Sequence, residues 1–374
     1  MAGSISFPPA DLPREAQRLR QDVREFLAAE KPAGSHYTQS SRDFSRKLGA
    51  RGWIGMTWPT RLGGAGRTPL ERHVVIEELL AAGAPIFYHW VADRQSGPLI
   101  LRFGTDAQRD HFIPAIARGE CGFAIGLSEP NAGSDLSALE TRAVRADGGW
   151  RVTGTKVWTS NAHVAEYMIV LCRTSPRGDD RRAGLTQLIV DLSAPGVTVN
   201  PILNLARQHE FNEVVFDGAF VPDEMVLGVV GRGWNQLMTE LALERSGPDR
   251  FLSAFRLFEC FVQEAGCNPN NAEADLIGRF AAHLWTLRHM SLSVSHMLHE
   301  RDPSVEAAIV KDLGTRFEQE VVEGCRALRP PTWEASDDYR RACLDALLYM
   351  PRVTIQGGTP QILRNAIARG LGLR

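Results

Sequence analysis

Gly126-Leu127-Ser128-Glu129-Pro130-Asn131-Ala132-Gly133-Ser134-Asp135 puts two hydroxyls, two carboxylates and two glycines into one turn-forming segment. Backbone N–H groups and small side chains can approach a polar ligand closely there. Downstream, Lys156-Val157-Trp158-Thr159-Ser160-Asn161 adds an aromatic face beside another hydroxyl. The two runs suit a flat ring with a polar edge better than a bare phosphate, because phosphate loops need no indole and stacking platforms do.

The pattern of the chain changes on either side of these runs. From Pro13 to about Arg118 the apolar residues recur at helical spacing, as in Leu19, Val23, Phe26 and Leu27 and again in Val74, Val75, Leu79 and Leu80. The glycines of Trp58-Pro59-Thr60-Arg61-Leu62-Gly63-Gly64-Ala65-Gly66 follow no strand, so they mark a connecting loop and not a dinucleotide fingerprint. Between Cys121 and Gly231 the pattern shifts to alternation and short β-branched runs, at Trp150–Thr153, Tyr167–Leu171, Thr186–Val190, Val197–Val199 and Val214–Phe216. These predict strands of an antiparallel sheet or barrel. After Gly233 helical periodicity returns through Leu237, Leu241 and Leu243, then over Phe251 to Phe261, Leu276 to Leu298 and Val305 to Leu328. Asp302-Pro303 reads as a helix start, with proline at the first helical position. Ser246-Gly247-Pro248 marks either a kink or a widened pocket beside Glu244, since proline inside a helix removes a hydrogen bond and bends it. A glycine-rich turn, Gln356-Gly357-Gly358-Thr359-Pro360, precedes one last helix.

Composition narrows the function classes. A chain of 374 residues is expected to divide into two or three subdomains. The hydrophobic share of 44% and charged share of 23% are those of a folded globular protein. A formal net charge of −2 gives no footprint for nucleic acid. Six cysteines without a CxxC pair predict reduced thiols, and ten histidines without ligand spacing predict no metal. No window has the length of a membrane span and no secretory signal is legible, so a cytoplasmic location is the default expectation.

Gly126 to Ala138 and Lys156 to Ala162 resemble signatures of the acyl-CoA dehydrogenases. The resemblance extends to Gly49-Ala50-Arg51-Gly52-Trp53 with its Trp-Pro-x-x-x-Gly-Gly loop, to Phe211–Pro222, and to Gly357-Gly358-Thr359-Pro360-Gln361-Ile362-Leu363-Arg364-Asn365. It implies a mainly α fold with a central β-domain: an N-terminal helical domain (1–120), a middle antiparallel β-barrel or sandwich (121–232) and a C-terminal four-helix bundle (233–374). It further implies FAD held between β-domain and bundle, a homotetramer or dimer, and electron transfer to an electron-transferring flavoprotein. The implied reaction is α,β-dehydrogenation of an acyl-CoA thioester to the trans-2-enoyl-CoA, with hydride passing to flavin N5.

A thioester α-proton is a weak acid, so its removal needs a placed base, a polarised carbonyl and a hydride acceptor. By the resemblance, Trp158 packs on the isoalloxazine, Ser160 stands near N5, Leu127 and Ser128 contact the polar edge, and Ser134 meets the CoA side of the substrate. Thr359 and Gln361 fall at cofactor-contacting positions. The family's catalytic glutamate occupies one of two positions. One precedes the Gly-Thr of the C-terminal turn, and here that slot is Gly357, which accepts no proton. The other, used by isovaleryl-type and long-chain-type members, is a Glu-Arg on a bundle helix and matches Leu241-Ala242-Leu243-Glu244-Arg245. The assignment is therefore Glu244 as base, Arg245 in support, and the Gly357 backbone N–H as a donor to the thioester carbonyl.

Taken alone, a Glu-Arg pair on a helix is a solvated face, and Trp158 a core aromatic. Their register relative to the serine-rich turn and to Gly357 promotes them. Glu129 and Asp135 resemble a catalytic carboxylate pair but are expected to satisfy turn amides, and His163 and His209 to serve packing or surface roles. One departure stands out: where many members carry Arg-x-x-Phe-Gly, this chain has Cys267-Asn268-Pro269-Asn270-Asn271-Ala272-Glu273. That difference keeps open a non-catalytic or half-site subunit of a hetero-oligomeric acyl-CoA dehydrogenase; a flavin monooxygenase on the same scaffold is a further alternative, against which the retained Glu-Arg pair speaks.

Overall fold

The computed structural model describes residues 5–32, 38–244, 247–298, 301, 303–332 and 334–373, without the side chains of 239–244. In chain order the elements are α1 (Arg14–Glu30), α2 (Arg42–Ala50), α3 (Pro69–Ala81), α4 (Phe87–Val91), α5 (Gly97–Phe103), α6 (Asp106–Ala117), β1 (Phe123–Gly126), β2 (Arg142–Ala146), β3 (Gly149–Ser160), β4 (Tyr167–Arg173), β5 (Leu185–Asp191), β6 (Val197–Leu203), β7 (His209–Pro222) and β8 (Val226–Leu227). They continue with α7 (Gly233–Glu244), α8 (Phe255–Ala265), α9 (Asn271–Met297), α10 (Ser304–Leu328), α11 (Asp337–Val353) and α12 (Pro360–Gly370). The chain divides into two compact units that do not follow chain order: Thr38–Arg67 with Ile86–Leu243, and Met1–Tyr37 with Thr68–Pro85 and Glu244–Arg374.

The first unit is built on an eight-stranded sheet of order β6-β7-β3-β2-β4-β5-β8, with β1 added beside β4. All five predicted strands are present. The sheet is mixed where an antiparallel one was expected, because β1 runs parallel to β4 from Phe123↔Tyr167 to Gly126↔Val170. A parallel pair needs a long crossover, and the segment from the serine-rich turn through the β2–β3 hairpin supplies it. Strand β2, Arg-Ala-Val-Arg-Ala, has no apolar alternation to betray it and is half exposed. Alternate residues of β7, among them Asn212, Val214 and Phe216, are buried, whereas β5 is buried from Leu185 to Val190. Trp150, Met168, Leu188, Val214 and Phe216 share one core, and full burial of each such side chain contributes about 1.5–3 kcal/mol. The glycine-rich loop after Trp58 is a connection as expected, and the Asp93 carboxylate accepts the Gly55 N–H at 2.7 Å to fix its start.

The second unit packs α1 and α3 with the helices that follow Glu244. Capping boxes open α3 (Thr68 with Glu71) and α9 (Asn270 with Glu273). The segment Cys267–Glu273, where the family's Arg-x-x-Phe-Gly was missing, is thus a helix start. Three readings need correction. Helix α7 is described as far as Glu244, with Arg245 and Ser246 outside the described residues, and a 3-10 turn, Pro248–Arg250, precedes α8, which begins only at Phe255; Gly247 is extended and Pro248 opens that turn, so neither lies in an α-helix where a kink was expected. Pro303 occupies the N-cap of α10, one position before the expected one, and Asp302 lies outside the described residues. Helix α11 escaped the periodicity analysis because its buried positions are filled largely by Ala342, Cys343, Ala346 and two tyrosines, which give a weak apolar signal.

Charge ties α1, α3 and α9 together. Glu77 accepts Arg288 Nε and Nη2 at 2.6 and 3.0 Å and Arg20 Nη2 at 2.7 Å. Beside it His73 is fully buried, its Nδ1 2.9 Å from Ser295 Oγ. Burial, with the Arg288, Arg72 and Arg20 charges adding to it against Glu77, lowers the His73 pKa to about 4. A histidine depressed from 6.5 in the fold makes the folded state bind fewer protons than the unfolded one, so its contribution is present above pH 6.5 and is lost as pH falls towards about 4. His73→Asn is expected to unfold at lower temperature than the native chain at pH 7, with the gap narrowing between pH 6.5 and 4; thermal unfolding across that range checks it.

Candidate active site

The two sequence runs that open the analysis of this chain are joined in the first unit by one buried lysine. Lys156 is 0% exposed, and its Nζ donates to Glu129 Oε1 at 2.8 Å and to the Leu127 carbonyl at 3.0 Å. Glu129 also accepts the N–H groups of Glu140 (2.6 Å) and Thr141 (2.9 Å). Burial works against its charge, but the Lys156 ammonium and these donors outweigh it and hold the carboxyl below its usual range. The Val157 N–H donates to the Ser128 carbonyl at 2.9 Å. Leu127 and Ser128, both half-buried, are therefore fixed against β3 immediately before Trp158. Ser134 is exposed on the same turn, and Asp135 beside it accepts from Ser137 Oγ and Arg181 Nη2. Both acidic residues of the turn have local hydrogen-bond partners.

Strand β3 loses its regular pairing with β7 between Lys156 and Thr159. Trp158 sits in that irregularity with φ +59°, a left-handed conformation unusual for a bulky residue, and its side chain is 62% exposed. A bulge re-aims a side chain out of the pleat. The indole makes an edge contact with Phe211, centroids 6.0 Å apart. Thr159 is buried, and its Oγ1 lacks a hydrogen-bond partner among the described residues; Ser160 is half-buried. His163 and His209 stack at 3.7 Å, and His209 Nε2 is 2.7 Å from Asn212 Oδ1, so the histidines brace the end of the strand. An exposed indole held off the sheet, flanked by Ser160 and by the Leu127-Ser128 backbone, fits the isoalloxazine of the FAD that the resemblance implies. Among the described residues no cluster of three or more His, Cys, Asp or Glu could hold a metal, and no helix is long and apolar enough to cross a membrane.

The remaining assigned residues belong to the second unit. Glu244 is the last residue of α7, with its side chain outside the described part of the structure, and Arg245 lies outside the described residues. Gly357 has φ +74°, and a side chain there would start 3.2 Å from Cζ and Nη1 of Arg250. That guanidinium is 3% exposed, and its Nε lies 3.2 Å from Asp249 Oδ2. A side chain at 357 is thus strained by the left-handed backbone and set in tight contact with the guanidinium. Thr359 caps α12, and Gln361 is exposed in its first turn. Sequence reasoning missed Lys156 and Arg250. A lysine on the buried face of a strand signals a paired charge, but nothing local marked Arg250.

Comparison with known proteins gives a consistent set of likenesses. The family model for the acyl-CoA dehydrogenase N-terminal domain matches residues 13–120, and that for the acyl-CoA dehydrogenase middle domain matches 124–219. Acyl-CoA dehydrogenase FadE34 of Mycobacterium tuberculosis is 37% identical over 341 residues, which cover 87% of this chain and 45% of that protein. The chain thus spans less than half the length of that relative. Acyl-CoA dehydrogenase IpdE1 of Mycolicibacterium smegmatis is 32% identical, with 96% and 98% of the two chains covered. Among solved structures, the Tcur3481-Tcur3483 steroid ACAD superposes with a TM-score of 0.86 at 28% identity, over 98% of this chain and 100% of that one.

Replacing Lys156 by methionine leaves the Glu129 carboxylate buried without its cation. The expected cost is about 3–5 kcal/mol of stability, read as a lower urea midpoint at pH 7, with part of the loss recovered in the Lys156→Met/Glu129→Gln double variant.

Proposed function

Because the chain belongs to the acyl-CoA dehydrogenase family, we propose that it catalyses the α,β-dehydrogenation of an acyl-CoA thioester to the trans-2-enoyl-CoA with FAD as cofactor. The observation that carries this reading is the exposed Trp158 indole, set in a bulge and tied through Lys156 to the turn of Leu127 and Ser128. FAD, when bound, supplies the two-electron acceptor for the departing hydride. Leu127, Ser128, Trp158 and Ser160 hold the ring, Thr359 and Gln361 contact the cofactor, and Ser134 contacts the CoA portion.

The proton chemistry falls to Glu244. Its rival position is Gly357, where no carboxylate exists and where the left-handed backbone, φ +74°, favours glycine. Glu244 takes the α-proton, Arg245 supports it, and the Gly357 N–H donates to the thioester carbonyl as negative charge develops on its oxygen. Electrons then pass to an electron-transferring flavoprotein. The working division of the chain is 1–120, 121–232 and 233–374, in a homotetramer or dimer located in the cytoplasm.

A second reading concerns assembly. The segment that replaces Arg-x-x-Phe-Gly is committed to starting α9, with Glu273 paired to Arg329 at 2.7 Å, and the solved relative at TM-score 0.86, the Tcur3481-Tcur3483 steroid ACAD, is named for two proteins together. We infer from these that the chain pairs with a different subunit and completes fewer FAD sites than it has chains. That relative is a steroid ACAD, which supports a bulky, ring-bearing acyl group as substrate. Flavin-to-chain stoichiometry of the purified assembly decides: one flavin per chain in a homo-oligomer rules the second reading out.

Two substitutions test the chemistry. Glu244→Gln is expected to keep flavin and to lose acyl-CoA oxidation roughly 10²–10⁴-fold, measured with an artificial electron acceptor over a panel of acyl-CoA thioesters. Trp158→Ala, at an exposed position, is expected to leave the melting temperature of the flavin-free protein unchanged and to weaken FAD binding about tenfold, since aromatic stacking contributes about 0.5–1.5 kcal/mol beyond its buried area.

A further inference from the structure

Helix α10 carries an unusual polar stripe inside the second unit. Lys311, Gly314, Thr315 and Glu318 fall at spacings of three and four and so share one face, and all three side chains on it are buried. Lys311 Nζ donates to the Val353 carbonyl at 2.6 Å, and Thr315 Oγ1 lies 3.4 Å from the same oxygen. Val353 ends α11, immediately before the turn that carries Gly357. One helical turn along, the absence of a side chain at Gly314 admits the Arg250 carbonyl, which any Cβ there would overlap. At the far end of the stripe Glu318 Oε1 accepts the Ser253 N–H at 2.7 Å, while Ser253 Oγ donates back to the Asp249 carbonyl at 3.2 Å. The start of α8 has no capping side chain of its own; Glu318, reaching across from α10, holds the residues just before it.

Two segments that the proposed chemistry needs are therefore held by one helix face: the interruption that follows Glu244, at 248–254, and the turn at 353–358. They also touch each other where Arg250 backs onto Gly357. A bundle core normally excludes such groups, since each buried charge is costly unless paired. We propose that the polar face of α10 is the positioning device of the dehydrogenation, with Glu318 fixing the segment after Glu244 and Lys311 fixing the turn of Gly357. The inference rests on the proposed function, and it adds residues that touch neither substrate nor cofactor.

Glu318 also titrates in a useful range. Burial raises its pKa to about 7, against the Ser253 donors and Lys311 and with help from Asp249. The charged and titratable groups around it are Lys311 on its own helix, Asp249 and Arg250 on the 3-10 turn, and Tyr349 of α11, which lines with Ser253, Val322 and Met350 a small cavity of about one water's size beside the carboxyl. An opened segment returns this carboxyl to a normal pKa, so local opening of 248–254 becomes easier as pH rises through about 7.

The test uses the full chain with bound FAD. Amide hydrogen exchange is followed by mass spectrometry at pH 6 and 8, corrected for intrinsic rates, alongside kcat and KM for the best acyl-CoA. Glu318→Leu removes the acceptor and is expected to speed exchange over 248–256 about tenfold and to lower kcat about tenfold, with KM within twofold. Lys311→Met is expected to do the same over 353–358. Glu318→Gln keeps an acceptor and should restore native exchange and kcat at pH 6 while abolishing the change in exchange between pH 6 and 8. Native exchange or native kcat in Glu318→Leu, or Glu318→Gln behaving as Glu318→Leu does, overturns the inference. Loosened segments in a protein whose native form oxidises no acyl-CoA overturn the proposed function, and the role in the reaction with it.

Discussion

A single buried ion pair organises the part of the molecule on which the assignment depends. Replacing Lys156 and Glu129 together by well-packed apolar residues would cost little stability, as for many buried pairs. What an apolar pair could not do is hold the Leu127 carbonyl and the Glu140 and Thr141 amides at once. Those bonds turn a glycine-bearing loop, with many accessible conformations, into a rigid edge beside β3. The cost of burying two charges therefore sustains local order in a loop, the place where backbone entropy otherwise favours disorder.

The strained backbone of Trp158 follows from the same arrangement. A bulky residue at φ +59° persists only when its surroundings over-determine it. Here the N–H of Val157 is committed to Ser128, and the N–H of Asn161 is committed to the Glu210 carbonyl at 2.8 Å. The strand is pinned on both sides of the bulge, so the indole has no route back to the pleat. The cost of leaving an apolar face in water is thus imposed by the same bonds that fix the backbone on both sides of it.

The strands rich in Val, Ile and Leu and the long helices were legible because burial imposes its period directly on the residue pattern. Strand β2 and helix α11 were not, since arginines dominate the first and small residues the buried face of the second. The parallel register of β1 was hidden for a different reason: pairing direction is a property of the connection and leaves no mark on four residues. The resemblance pointed to Trp158 and Ser160, but the tie that fixes their neighbouring turn, Lys156 to Glu129, had no local signature, because the pair is separated by 27 positions in sequence.

Glycine at 357 shows how a missing group and a present one become a single fact. By composition alone, that position says only that a carboxylate is absent. In the fold, the space where its side chain would begin is bounded by the Arg250 guanidinium, which comes from the interruption just beyond Glu244. A long straight helix through 244–265 would continue its 3.6-residue winding and would not contain the 3-10 turn that places Arg250 there. The proline that opens that turn, the glycine that replaces the carboxylate and the glycine at 314 that admits the turn against α10 are thus one solution to one packing problem. The buried cation beside position 357 brings its own partner, Asp249, on the same turn.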